Sequence, residues 1–539
     1  MYIFRIILLT ILIIFNSIIT QAAQVPFGTQ LADKQEIIRH IKDEPVSLDP
    51  AKVVGLPEAQ VIRDLFEGLV KQGIEGYPEP GIAQSWQITN NNKHYVFKLR
   101  KDARWSNGEP VTSYDFIYSW NRLINPITLS PCAWIMQISG ILNAESIIKG
   151  RVPIQKLGIT APDSHTLIIQ LDKPVPFFMD LLSHVSMFPV PQKNIEKYGN
   201  DWTKIGNLVS NGAFSIKERV VNEKIVLKQN PYYWDHANTV LTKVTFLTIN
   251  QESIATKRYL AGDIDITESF PKNMYRKFIQ EIPEQIYTPH QLGTYYYAFN
   301  TQKPPLHDAR VRRALSYAID RNIIVNKVLG AGEKPAYYLT PDITNGFHEL
   351  PLLIKKITQV ERDKYARQWL TEAGYGTKKP LKLTLLYNTS ENNQKIAIAI
   401  ASMWKKALGV RVVLTNQEWK TYIDSRNNGK FDVVRASWIG DYNEASTFLS
   451  LLTSNHSNNI TKFKSLSYDK LLKIANEETN EVKRNVNYAQ AEIVIAEQAP
   501  IAPIYQYTNS RLIKPWVKGY PITNPEDIAY SQSMYILKH

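Results

Sequence analysis

Between residues 381 and 434 short apolar strands alternate with helices, and no other stretch narrows the fold as far. Segments 381–387, 410–415 and 431–434 are rich in Leu, Val and Thr and read as strands, while 394–408 and 418–427 read as helices. Gly409 stops the first helix, and Asn427-Asn428-Gly429 turns the chain after the second. This alternation predicts an α/β sheet domain.

The rest of the chain supplies similar pieces. Residues 35–41, 95–99 and 166–171 read as strands, and 214–229 as two strands around a Glu/Asn turn. Apolar residues at 61, 62, 65, 66, 69 and 70 predict an amphipathic helix over 60–70. Thr112 or Ser113 caps a helix over 114–123. A strand at 244–249, a helix at 253–261 and its cap Gly262 suggest another βαβ unit. The strand 293–300 leads into Pro304-Pro305, followed by helical 310–318 and 321–329. A chain of 539 residues exceeds one ordinary core, so two or three domains are expected. Two α/β domains facing each other across a cleft would enclose a ligand. The 11 Trp and 29 Tyr fit a large cavity with wet walls as well as a large core.

Residues 1–22 read as an export leader: Arg5 is the only charge, an apolar run follows, and Ala22 and Ala23 offer the small residue for cleavage. The run is too short and interrupted for a membrane span. No cysteine stands at the junction, so no lipoprotein anchor is expected. Cys132 is the only cysteine, which rules out an internal disulfide. The net charge of +13 falls to +12 (13 − 1) when the leader takes Arg5 with it. These charges are scattered among acids without a long basic run, which reads as a solvated surface rather than a nucleic-acid footprint. No phosphate-binding glycine loop, nucleophile elbow, or HExxH or other histidine ligand spacing is present. No catalytic residue, cofactor or metal is expected; a secreted peptide hydrolase is the alternative from a different class.

Residues 431–445, FDVVRASWIGDYNEA, crowd a cation, a flat aromatic and an anion (Arg435, Trp438 and Asp441) into seven positions. The strand reads as running out at Arg435, with Gly440 loosening the backbone before Asp441. An extended peptide offers an ammonium, a carboxylate and side chains between them, so the three residue types match it. The segment resembles FDVxRxxWxxDYNEP of the periplasmic oligopeptide-binding proteins of ABC importers. Further similar segments follow in family order, including SLDP (47–50), RDLFEGLV (63–70), LRKDARWSNGEPVTSYDFIYSW (99–120), NTQKPPLHDARVRRAL (300–315), NQEWKTYID (416–424) and RLIKPWVKGY (511–520). The likeness covers residues 23–539.

The resemblance implies the two-lobed periplasmic binding protein fold (α/β, cluster C, type II-like) with an extra third domain. Lobe I would comprise 23–66, 192–292 and 509–539, the inserted domain 67–191, and lobe III 293–508, with chain crossings near 192 and 293. It implies a monomer that binds short peptides and serves an inner-membrane ABC permease. By family position, Asp441 takes the peptide ammonium, and Arg435 and Arg426 lie near its carboxyl end. Trp438 and Trp419 wall side-chain pockets with Tyr507 nearby, and Ser437, Ile439 and Leu56 give mainly backbone contacts. Departures are informative. Cys132 stands where a Tyr is typical, Asn393 where a His is, and Val54 and Ala298 where acids often line the pocket. Gly293 and Ile439 replace a common disulfide pair. The lost acids predict weaker favour for Lys-containing peptides and leave open the branch of the family that binds murein tripeptide.

Overall fold

The computed structural model describes residue 23 and residues 25–53, 55–417, 419–456 and 458–539. The leader at 1–22 and Val54 lie outside these, as do the side chains of Glu391, Trp419 and Lys420.

The chain opens with β1 (Glu36–Ile41) and α1 (Leu56–Leu65). Next come β2 (Ala83–Thr89), β3 (His94–Leu99), β4 (Ile159–Asp163) and β5 (Thr166–Gln170), an antiparallel sheet of order β2-β3-β5-β4. Then β6 (Phe214–Val220), β7 (Lys224–Gln229) and β8 (Lys243–Thr248) join β1 in the order β1-β8-β7-β6, with β1 parallel to β8. A third sheet holds β9 (His290–Phe299), β10 (Lys382–Asn388), β11 (Arg411–Gln417), β12 (Val433–Ile439) and β13 (Ile501–Thr508). Its order is β13-β9-β12-β10-β11, with the short strand Lys334–Pro335 on the β13 edge. Helices α2 (Glu391–Leu408) and α3 (Trp419–Asn427) link β10, β11 and β12, and β10 runs parallel to both other strands. The alternating stretch is thus a βαβαβ unit, as crossovers of helical length require.

Two expected boundaries move. Instead of 60–70, the first helix occupies Leu56–Leu65, with Pro57 in its first turn. It stops because Gly212 N–H donates to the Leu65 carbonyl at 2.8 Å. A Cβ at 212 would lie 2.6 Å from the Leu65 carbonyl carbon, so only glycine permits that approach. Strand β12 does not end at Arg435. It runs on to Ile439 because β9 pairs with it throughout, from Phe299↔Val433 to Gly293↔Ile439.

One apolar core runs unbroken through the first two sheets, joining Ile62 of α1 and Phe66 just after it to Phe97, Trp120 and Phe214. The third sheet has a core on each face. Tyr295, Tyr297, Leu385 and Trp404 belong to one, and Tyr296, Ala298, Val434 and Phe448 to the other, following the alternation of a strand. The chain enters the third sheet through β9 and leaves through β13, and these crossings lie side by side. Ile286 pairs with Leu512, Tyr287 with Arg511 and His290 with Thr508. These pairings at 286–290 and 508–512 fall beside the expected boundaries at 293 and 508, and they join segments far apart in sequence.

Candidate functional site

A cavity of about 590 Å³ lies between α1, the 131–134 and 180–184 stretches, residues 439–441, and the closing segment 526–529. Ligand pockets usually occupy roughly 300–1,000 Å³. Of the residues expected at the site, Asp441, Ile439, Leu56 and Cys132 line it.

Asp441 follows directly on β12. Gly440 does not loosen this junction. Its N–H donates to the Leu292 carbonyl at 2.7 Å, and a Cβ there would meet Leu292 Cδ2 at 2.6 Å. Thr447 then fixes Asp441: its Oγ1 accepts from the Asp441 N–H at 3.0 Å and donates to Oδ2 at 3.4 Å. Asp441 is exposed and lines the cavity, and desolvation pushes its carboxyl up to about 6 against the Thr447 bond. A crowded acid with one neutral donor is suited to receive a cation.

Arg435 and Trp438 point to opposite faces of β12, since their positions differ by an odd number. Trp438 packs with the core around Val434 and Phe448 and donates from Nε1 toward Thr447 Oγ1 at 3.5 Å. Arg435 donates from Nη2 to Tyr507 Oη at 2.9 Å and lies 4.8 Å from the Tyr295 ring centre. Tyr295 in turn donates to Asn393 Oδ1 at 3.2 Å and stacks on Tyr505 at 4.7 Å. Arg435, Tyr507 and Asn393 therefore form a second cluster on one face of the third sheet, outside the 590 Å³ cavity. Arg435 Nε is buried there without an acceptor. Ser437 sits on the same strand face, opposite Tyr295 in register. Arg426 lies 5.9 Å from the Tyr422 ring, and Tyr422 Oη donates to the Arg435 carbonyl.

Gly293 and Ile439 stand directly opposite each other, and a Cβ at 293 would lie 2.4 Å from Ile439 Cδ1. The isoleucine fills the space a larger partner at 293 would need. Cys132 is buried, with Sγ donating to the Val53 carbonyl at 3.1 Å, and burial pushes its thiol up to about 11. Ala298 is fully buried in the apolar cluster with Val434 and Phe431 rather than on the cavity wall. An acid at that position would therefore not line this cavity.

Sequence reasoning missed most of the cavity's charges. Burial, with Glu526 and Glu444 nearby, pushes Asp180 up to about 8. Glu526 is pushed up to about 7 by burial, and its Oε1 has no hydrogen-bond partner. His184 is pulled down to about 3 by burial and then by Arg63. Phe177 stacks on Tyr442 at 4.0 Å, so the two walls touch beside Asp441. These groups come from segments far apart in sequence, and no local pattern marked them.

Among the described residues, no group of three or more His, Cys, Asp and Glu could hold a metal, and no helix is long and apolar enough to cross a membrane. The sequence pattern of the bacterial extracellular solute-binding proteins, family 5 Middle, matches residues 77–459. The chain belongs to this family. It is 62% identical to the periplasmic murein peptide-binding protein MppA of Escherichia coli K12 over 528 residues, covering 98% of each chain. Against the periplasmic oligopeptide-binding protein OppA of Salmonella typhimurium it is 47% identical, covering 96% of this chain and 95% of that one. Among solved structures it resembles the unliganded open form of MppA, with TM-score 0.86, 63% identity, and 95% and 99% of the two chains covered. Haemophilus influenzae OppA in complex with the peptide RPPGFSPFR gives TM-score 0.78 at 42% identity, over 94% of this chain and 100% of that one. The multi-domain α/β architecture is that of the family, and these relatives are named as binding proteins.

Proposed function

We propose that this chain is a periplasmic binding protein that captures short peptides between two lobes and delivers them to an inner-membrane ABC permease. The observation that carries the reading is Asp441, a desolvated acid held by Thr447 at the edge of a cavity of about 590 Å³. A peptide ammonium is the cation every such ligand shares, and the exposed strand ends nearby can pair with its backbone. Arg435 and Arg426 form the cationic region that closure would bring toward the carboxyl end. Trp438 walls a side-chain pocket, with Ser437, Ile439 and Leu56 giving backbone contacts. The working division is lobe I (23–66, 192–292, 509–539), an inserted domain (67–191) and lobe III (293–508), in a monomer released by cleavage near Ala22 or Ala23. Binding leaves the peptide unchanged.

A narrower reading, specificity for a murein tripeptide in cell-wall recycling, is favoured by the 62% identity to a murein peptide-binding protein across nearly the whole chain. Native mass spectrometry of the protein purified from its periplasm, followed by identification of the released ligand, tests both. A mixture of ordinary peptides supports the general reading, a single branched cell-wall peptide the narrower one, and recovery of hydrolysed fragments from added peptides refutes both.

A further inference from the structure

Among the described residues, three arginines line the cavity: Arg39, Arg63 and Arg511. Two are committed. Arg39 lies 3.6 Å from Asp64 and donates to Ser531 Oγ at 2.8 Å. Arg511 is bound by Asp527 and Tyr520. Arg63, in the last turn of α1, forms no ion pair and donates no hydrogen bond among the described residues, and its Nε is sealed from solvent without an acceptor. Its neighbour Asp64 is taken by Arg39 and by the Ser531 N–H and hydroxyl at 2.8 and 2.6 Å. Glu526 lines the same cavity with a buried Oε1 that has no hydrogen-bond partner, and among the described residues it makes no ion pair with Arg63. Burial lowers the Arg63 guanidinium from its ordinary value without removing its charge. Glu526 and Asp64 act on this charge from nearby, but neither is bound to it, and its planar fork matches a carboxylate.

We propose that Arg63 receives a carboxylate carried by the ligand near its ammonium end. This rests on the peptide-binding reading of Asp441. Both residues line one cavity, and an extended peptide advances about 3.3 Å per residue, so the anion must sit within the first residues after the ammonium. The ligand class is a short peptide with a free carboxylate there, either on an acidic side chain or on the α-carbon of a γ-linked glutamyl residue. Arg63 thereby becomes a specificity-determining residue that distinguishes acid from amide.

Calorimetry on the full mature protein tests this with Ala-Glu-Ala and its γ-linked isomer, each against its glutamine or isoglutamine counterpart. For at least one pair the wild type should prefer the acid by about 30-fold or more, the low end for truncating a buried charge pair. Arg63→Gln should bring the acid-to-amide ratio close to one while leaving the amide peptide's affinity nearly unchanged. Arg63→Lys should recover part of the preference, and Glu526→Gln should keep it. Thermal melting of each variant verifies that it is folded. Equal wild-type affinity for acid and amide in both pairs overturns the proposal, as does an unchanged ratio in Arg63→Gln. So does an equal loss for all peptides in Arg63→Gln and Glu526→Gln, which would make the two residues a pair formed on closure. A wild type that binds none of the peptides refutes the peptide-binding reading itself, and this proposal with it.

Discussion

Replacing Asp441 by Asn keeps the shape of the side chain and an acceptor for Thr447 while removing the charge. Two unit charges about 4 Å apart at an effective dielectric of about 20 attract by ~4 kcal/mol. Truncating one partner of a buried pair costs ~2–5 kcal/mol, or ~30- to 5,000-fold in affinity. Desolvation pushes the Asp441 carboxyl up to about 6, but the residue is exposed and solvent screens its charge, so the lower part of that range is expected. Calorimetry with trialanine should show at least ~30-fold weakening for Asp441→Asn, and N-acetyl-trialanine should lose as much against the wild type. The pH dependence follows with a definite sign. Only the ionised carboxylate attracts the ammonium, so affinity should fall as pH drops through about 6, reaching ~10-fold weaker one pH unit lower. Asp441→Asn should lack that dependence. Affinities within threefold for the variant and the acetylated peptide would refute the assignment.

Cys132 should resist a maleimide at pH 8 in the native state and react after denaturation, since its thiol is buried and pushed up to about 11; rapid native labelling would contradict the packing. Stability of the ligand-free protein should fall between pH 7 and 8.5. Native Asp180 and Glu526 hold protons up to about 8 and 7 that the unfolded chain has already released, whereas His184, low at about 3, is neutral in both states over that window. Melting scans of wild type and Asp180→Asn check this, and the variant should flatten the slope. The facing pair Gly293 and Ile439 should form a disulfide when both are replaced by Cys, because directly paired antiparallel residues sit within bridging distance; free thiols after mild oxidation would contradict the register. Small-angle scattering should show compaction on adding trialanine, and superimposable curves at saturation would exclude lobe closure.

Much of the third sheet could be read directly. Its strands and helices announce themselves through apolar runs and Gly409, and the βαβαβ order follows from their alternation. Strand β12 was read too short because Arg435 and Ser437 break the apolar run. Pairing with β9, distant in sequence, supplies the ladder that carries it on. The same long-range pairing explains why Arg435 and Trp438, close in sequence, face apart. Asp441 could be singled out from its motif, but Thr447, which positions it, is an ordinary residue in a helical turn. Arg63, Asp180 and Glu526 gain meaning only when three distant segments converge, and such convergence leaves no periodicity to detect.

The unbroken core beneath the first two sheets divides the cleft unequally. Arg63, Cys132 and His184 stand on one close-packed body, so their spacing is set before any ligand arrives. Asp441 and Ile439 follow the third sheet, which the chain enters and leaves through the side-by-side segments at 286–290 and 508–512. Capture and retention then fall to different walls. If a ligand first meets the prearranged wall, that surface governs its encounter rate, and on the proposed role of Asp441 the ammonium held by the second wall sets the length of its stay.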